Sequence, residues 1–211
     1  MKKEVEIQAI IKNPGEIEKK LRKIGKFIGA RRQVDKYFVP PCRDFFATDP
    51  PLEYLRIRFE KDKNHLHEPR AKRGAKRKDE QNSSLNYSFL HFNKNGYLQE
   101  TDEYETLVVN PKVAEEIFQK IGMINRVIVV KTRKYFNCGN FEVTLDRVEN
   151  LGNFIEVEAK KNFGGIEKTK KSCLNFLKSL NIKYEIKPQM GYPRMLYRKL
   201  KPKVRKPKAR F

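Results

Sequence analysis

Five short stretches of this chain place charged and apolar residues at a period of two: Glu4-Val5-Glu6, Leu55-Arg56-Ile57-Arg58, Val130-Lys131-Thr132-Arg133, Glu142-Val143-Thr144-Leu145-Asp146 and Ile155-Glu156-Val157-Glu158. Side chains at i and i+2 leave the same face of a β-strand, so each stretch makes one apolar face and one polar, charged face. The signs are sorted: the stretches around Arg56 and Lys131 carry bases, the other three carry acids. Strands of this kind can turn their charges to water around an apolar middle. They can also turn them inward around an enclosed channel, with helices covering the apolar outside. Periodicity satisfies both arrangements. Acids on some strands and bases on others suit a site for metal and polyphosphate.

Turn signals divide the chain into eight expected strands, at residues 3–12, 32–40, 52–60, 86–92, 98–109, 126–137, 140–148 and 153–160. Asn93-Lys94-Asn95-Gly96, Asn137-Cys138-Gly139-Asn140 and Glu149-Asn150-Leu151-Gly152 read as hairpin turns. Three helices are expected. One opens at Pro14, carries Ile17, Leu21, Ile24 and Phe27 or Ile28 at helical spacing, and decays through Gly25 and Gly29. The second is capped by Asn110-Pro111 and closed by Gly122, and the third covers residues 166–180. Antiparallel strands with amphipathic helices make the fold class α+β.

At 211 residues the chain suits one domain, expected over residues 1–197. Its formal net charge of +21 is unevenly spread: residues 198–211 hold eight Lys or Arg and no acid, and residues 61–80 hold eight bases against four acids. Residues 61–85 are too polar to offset their ordering entropy and are expected as a mobile basic loop insertion, with 198–211 as a disordered basic tail. No apolar run approaches the roughly 18 residues that span a bilayer, so no membrane role is expected. Cys42, Cys138 and Cys173 are odd in number and form no CxxC pair, which together with a start lacking an apolar leader points to the cytoplasm.

The segments "EVEIQ" from residue 4, "LRIR" from 55, "VKTR" from 130 and above all "VTLDRVENLGNFIEVE" from 143 to 158 resemble the CYTH superfamily of triphosphate tunnel metalloenzymes. "QVDKYF" from 33 and "GYPRMLYRK" from 191 look most like its class IV adenylyl cyclase branch. The resemblance implies an eight-stranded antiparallel β-barrel, open at both ends, with flanking helices and a charged lumen. It implies Mg²⁺ or Mn²⁺ held by Glu4, Glu6, Asp146, Glu156 and Glu158, and substrate phosphates held by Arg56, Arg58, Lys131 and Arg133. The implied activity is conversion of ATP to cyclic AMP and pyrophosphate, with hydrolysis of tripolyphosphate, a nucleoside triphosphate or thiamine triphosphate as the alternative. A homodimer is compatible with this reading. The chain departs from the family's pattern in two places. Gln8 stands where the first strand normally carries Lys, and the fourth strand's cation is left to His91 or to Lys94 near the turn. Arg suits phosphate because its planar fork matches two oxygens. The acidic pairs would repel one another without bound cations. A competing reading, a polyanion or nucleic-acid binder acting through the basic tail, explains the charge and leaves the clustered carboxylates unexplained.

Overall fold

The computed structural model describes residues 2–62, 83–187 and 191–200. Its elements run β1 (Lys2–Glu4), β2 (Glu6–Ile11), α1 (Pro14–Ile24), β3 (Lys26–Val39), β4 (Glu53–Asp62), β5 (Ser84–Phe92) and β6 (Leu98–Leu107). They continue α2 (Pro111–Lys120), β7 (Ile124–Cys138), β8 (Phe141–Val148), β9 (Gly152–Ala159), α3 (Ile166–Ser179), β10 (Tyr184–Glu185) and α4 (Tyr192–Leu200).

The strands form one antiparallel sheet in the order β1-β6-β5-β4-β3-β7-β8-β9-β2-β10. Its two ends meet in the first strand. Lys2–Glu4 pairs with β6, and after a break at Val5 the same run of chain pairs with β9 through Glu6–Ile11. Counted as one strand, β1 and β2 close an eight-stranded barrel, and β10 is an addition against Ile10 and Ile11. From Glu6 to Ala9 the other edge of β2 has no strand partner among the described residues, so a seam separates β2 from β6.

The apolar faces lie outside the barrel, under the helices. Ile7, Ala9, Val143, Leu145, Ile155 and Val157 are buried against Ile17 and Leu21 of α1 and Cys173 and Leu177 of α3. Each large aliphatic side chain sealed there contributes roughly 1.5–3 kcal/mol. On the far side Phe118 of α2 meets Phe38 edge-on, ring centroids 5.2 Å apart, and Glu115 takes the Lys36 ammonium at 2.5 Å. Asn110 caps α2 by accepting from the Val113 amide at 3.2 Å.

Along the inward positions the character switches from ionic to apolar at Ile10, Tyr37, Val129, Val148 and Phe154. These pack with Tyr192 and Leu196 of α4 into a plug, so this end of the barrel is filled where the resemblance implied an opening.

Several boundaries differ from those read in the sequence. Helix α1 stops at Ile24 because the chain at Gly25 passes directly against the β7 terminus: a Cβ there would lie 2.5 Å from Cys138 Sγ and 2.8 Å from the Asn137 carbonyl oxygen. Strand β3 therefore starts at Lys26, and Ile24 and Ile28, whose spacing imitated a helix face, are each 55% exposed. The basic insertion is narrower than 61–85, since β4 runs to Asp62 and β5 begins at Ser84; residues 63–82 lie outside the described residues. Helix α4 carries regular structure to Leu200, past the expected start of the tail, and residues 201–211 lie outside the description. No helix among the described residues is long and apolar enough to cross a membrane.

Candidate active site

The barrel, with α3 and the chain around Ile186 and Tyr192, bounds an open chamber of about 820 Å³. Strand pairing fixes which side chains enter it. Alternate residues of each strand point inward, and the register aligns these positions around the ring. Glu4 and Glu6 of the first strand, Arg56 and Arg58 of β4, Lys131 and Arg133 of β7, and Glu156 and Glu158 of β9 all line the chamber. Glu6 stands opposite Glu158 and Gln8 opposite Glu156, while Glu142 of β8 faces Glu158 from the other side, so β2, β9 and β8 make an acidic wall. In a ring of eight strands, β4 with its two arginines lies across from β9.

Two buried aspartates organise the bases. Asp35 on β3, 1% exposed, accepts from Arg58 Nε at 2.7 Å and Nη2 at 2.9 Å, with Arg56 Nη1 at 3.7 Å. Burial opposes its charge, but Arg58 and then Arg56 hold its carboxyl well below the usual carboxylate range. Asp146 does the same on β8. It accepts from Arg133 Nε at 2.7 Å, Lys131 at 3.3 Å and the Tyr192 hydroxyl at 2.9 Å. Against burial, Arg133 and Lys131 bring its pKa down to about 2. The expected metal ligand Asp146 is thus placed beneath the chamber, where it accepts from these partners. Burial and the neighbouring Arg133 push the Lys131 ammonium down to about 8. Glu6 is raised well above the carboxylate range, first by burial and then by repulsion from Glu156, Glu4 and Glu158.

Other expected residues fall differently. Lys94 sits exposed in the β5–β6 turn and does not line the chamber. The inward residues of β5 are Ser84, Asn86, Ser88 and Leu90, so His91 points outward and meets Asp102 at 2.8 Å. Position 86, opposite Arg56, is therefore filled by an amide, whose Oδ1 accepts from Ser88 and whose Nδ2 is buried without a partner. Counting parity from Arg56 through the turn would have needed the hairpin register, which residues 63–82 conceal from sequence reading. Glu103, Glu105 and Glu142 line the chamber, as do Tyr37 and Tyr135; Phe38 and Phe136, offset by one position, are fully buried on the outer side. Gln33 and Glu60 were missed as well: Gln33 Nε2 donates to Glu60 at 2.5 Å and to the Tyr135 hydroxyl at 2.9 Å, beside a second, smaller cavity lined by Arg31, Arg58 and Glu105.

A hard divalent cation fits the acidic wall. Glu4, Glu6, Glu156 and Glu158 offer oxygen donors on adjacent strands, and their mutual repulsion is what a cation relieves. Gln8 adds an orphaned atom. Its Nε2 must face the acceptor-only Glu156 carboxylate, 2.7 Å away, which leaves the buried Oε1 without a partner among the described residues. No three acidic, imidazole or thiol groups among the described residues converge as a ready-made cage.

Comparison with known proteins agrees with this geometry. The CYTH domain profile matches residues 2–187, and the chain belongs to that family of adenylyl cyclase- and triphosphatase-type enzymes. A Methanocaldococcus jannaschii protein, provisionally named an adenylate cyclase, is 29% identical over 181 residues, covering 85% of this chain and 90% of its own. The solved structure of the PH1819 protein from Pyrococcus horikoshii superposes with a TM-score of 0.73 at 27% identity, covering 93% of this chain and 99% of that one. The fold extends to a Hippeastrum protein for which a dominant triphosphatase activity is described, with a TM-score of 0.60, 16% identity, and coverage of 93% and 95%.

Proposed function

We propose that this protein is a divalent-metal-dependent enzyme that acts on a triphosphate inside the barrel, and that its reaction is the class IV adenylyl cyclase reaction, from ATP to cyclic AMP and pyrophosphate. The observation that carries the proposal is the enclosure of Arg56, Arg58, Lys131 and Arg133 in one chamber with Glu4, Glu6, Glu156 and Glu158. The four cations take the phosphate oxygens. Asp35 and Asp146 hold them in place beforehand, so little reorganisation is needed as charge moves onto the leaving group. Mg²⁺ or Mn²⁺ on Glu4, Glu6, Glu156 and Glu158 would neutralise phosphate charge and lower the pKa of a bound oxygen. In the cyclase reaction the ribose 3′ hydroxyl gives up its proton to solvent as its oxygen bonds to the α-phosphorus, the bond from that phosphorus to the oxygen bridging it to the β-phosphorus breaks, and pyrophosphate departs. A volume of about 820 Å³ has room for a nucleoside as well as its phosphates, and Leu90, Tyr97 and Leu98 add apolar lining at the plug end of the chamber.

One observation favours a second reading, hydrolysis of the terminal phosphate. A second, smaller cavity, lined by Arg31, Glu60 and Tyr135, shares Arg58 with the phosphate-binding side of the chamber and offers room for a water there. Incubation with ATP, tripolyphosphate and thiamine triphosphate, each with Mg²⁺ or Mn²⁺, separates the two. Cyclic AMP with pyrophosphate supports the cyclase, orthophosphate supports the hydrolase, and turnover of none of them defeats both. Binding of nucleic acid or another polyanion through the basic tail, residues 198–211, is a separate reading, tested by comparing nucleic-acid retention and triphosphate turnover before and after removal of residues 201–211.

A further inference from the structure

The strands of the acidic wall, β2, β8 and β9, turn no lysine or arginine into the chamber. The wall's inward positions are Glu4, Glu6, Gln8, Glu142, Thr144, Glu156 and Glu158, none of them basic, and Arg133 reaches across from β7 to contact Glu156. Gln8 places a neutral amide next to Glu6 on the same strand face, and that amide is committed to Glu156. The part of a triphosphate lying along this wall would therefore meet carboxylates and an amide, with no barrel lysine.

Positive charge comes instead from outside, through the seam. Because the first strand leaves β6 at Val5, the barrel is interrupted between β2 and β6. Helix α3 covers that interruption: Cys173 Sγ lies 3.9 Å from the Val5 carbonyl oxygen, which fixes the helix over the break. Lys170 is three residues earlier and shares that face of the helix. Lys170, Lys171 and Lys187 all line the same chamber as Glu6 and Gln8. Of these, Lys171 is exposed and Lys187 is paired with Glu185 at 3.2 Å, whereas Lys170 is half-buried and carries no hydrogen bond or ion pair among the described residues. Burial lowers the pKa of its ammonium, while Glu167 and Glu6 oppose that shift, so the charge is partly desolvated and within electrostatic reach of the acidic wall. A compact ammonium on a four-carbon stem can enter between two strands, where a planar guanidinium would need a wider gap.

We infer that Lys170 is a phosphate-binding residue of this enzyme, entering the barrel through the β2–β6 seam to supply at the acidic wall the charge that Gln8 lacks. The inference rests on the triphosphate reading above, and its test keeps the two apart. Calorimetric titration of the full chain with an imido-bridged triphosphate and Mg²⁺ is run on the wild type, Lys170→Gln, Lys170→Gln with Gln8→Lys, Lys178→Gln and Arg58→Ala. Circular dichroism checks that each variant folds. Lys170→Gln is expected to weaken binding about tenfold, the scale of one charge-assisted hydrogen bond. Gln8→Lys should recover most of that loss by moving the charge onto the barrel wall. Lys178→Gln, an exposed lysine on the same helix, should bind within about twofold of the wild type if the effect is local and not one of net charge. Wild-type affinity in Lys170→Gln, an equal loss in Lys178→Gln, or no recovery with Gln8→Lys would overturn the role of Lys170. Wild-type affinity in Arg58→Ala would instead overturn the triphosphate reading itself.

Discussion

Replacing Asp35 with Asn removes a charge while keeping the size and shape of the side chain, and it tests whether the basic side of the chamber is built around that charge. Asp35 is 1% exposed and accepts both Arg58 bonds, at 2.7 and 2.9 Å, with Arg56 3.7 Å away. Losing one partner of a buried pair costs about 3–5 kcal/mol, because the remaining charge stays desolvated. Arg58 and Arg56 border a chamber that water enters, with side-chain exposures of 11% and 17%, which places the cost at the lower end, about 3 kcal/mol. For a chain of this length that is a fall in Tm of about 6–12 °C, measured by circular dichroism at pH 7. The pH dependence has a definite sign. The folded pKa of Asp35 is depressed, so its stabilisation is fully present above the unfolded value of about 3.9 and fades as pH falls toward the folded value. The gap between wild type and Asp35→Asn should thus close only in strong acid, well below pH 4. Added tripolyphosphate should raise the Tm of the variant more than that of the wild type, since the anion supplies the missing counter-charge. A loss below about 1 kcal/mol, or a gap that closes above pH 5, would refute the reasoning.

Glu158→Ala is expected to abolish metal-dependent turnover, a loss of at least about a hundredfold, while leaving the melting curve in place; wild-type turnover would show that the acidic wall is misassigned. Tyr192→Phe deletes the hydroxyl that donates to Asp146 at 2.9 Å and should cost about 1 kcal/mol in urea unfolding, with Arg133 and Lys131 still holding the carboxylate. Gly25→Ala forces a Cβ to within 2.8 Å of the Asn137 carbonyl oxygen, which belongs to backbone and cannot swing aside, so a loss of about 1–3 kcal/mol is expected from the same unfolding measurement.

The charged alternation put Arg56 with Arg58, Lys131 with Arg133, Glu4 with Glu6 and Glu156 with Glu158 on common strand faces but left their direction open, and the inward-facing barrel was legible through the resemblance carried by "VTLDRVENLGNFIEVE". The structure brings all eight into one chamber. Alternation does not say how deep a side chain sits or what it touches. Asp146 obeys the same parity as Arg133 and Glu156, yet it sits with Tyr192 at the edge of the apolar plug and holds cations in place. Asp35 escaped notice for a related reason. It stands as a lone acid among Gln33, Tyr37 and Lys36, with no second charge at i+2 to mark an ionic face. Asn86 and the outward turn of His91 depend on a hairpin register that no local signal encodes. The seam between β2 and β6, and with it the entry of α3 lysines, follows from a break of one residue at Val5 inside a sequence that alternates without interruption.

The central claim is that a divalent cation on the acidic wall and a triphosphate on the basic residues share one chamber. Phosphorus NMR of an imido-bridged triphosphate, titrated with Mn²⁺ in the presence of the protein, tests it directly. Strong paramagnetic broadening of the bound phosphate signals is expected in the wild type, and in Glu158→Ala the same ligand should bind with that broadening largely lost. Bound phosphate that Mn²⁺ leaves sharp in the wild type, or broadening unchanged by Glu158→Ala, would contradict it.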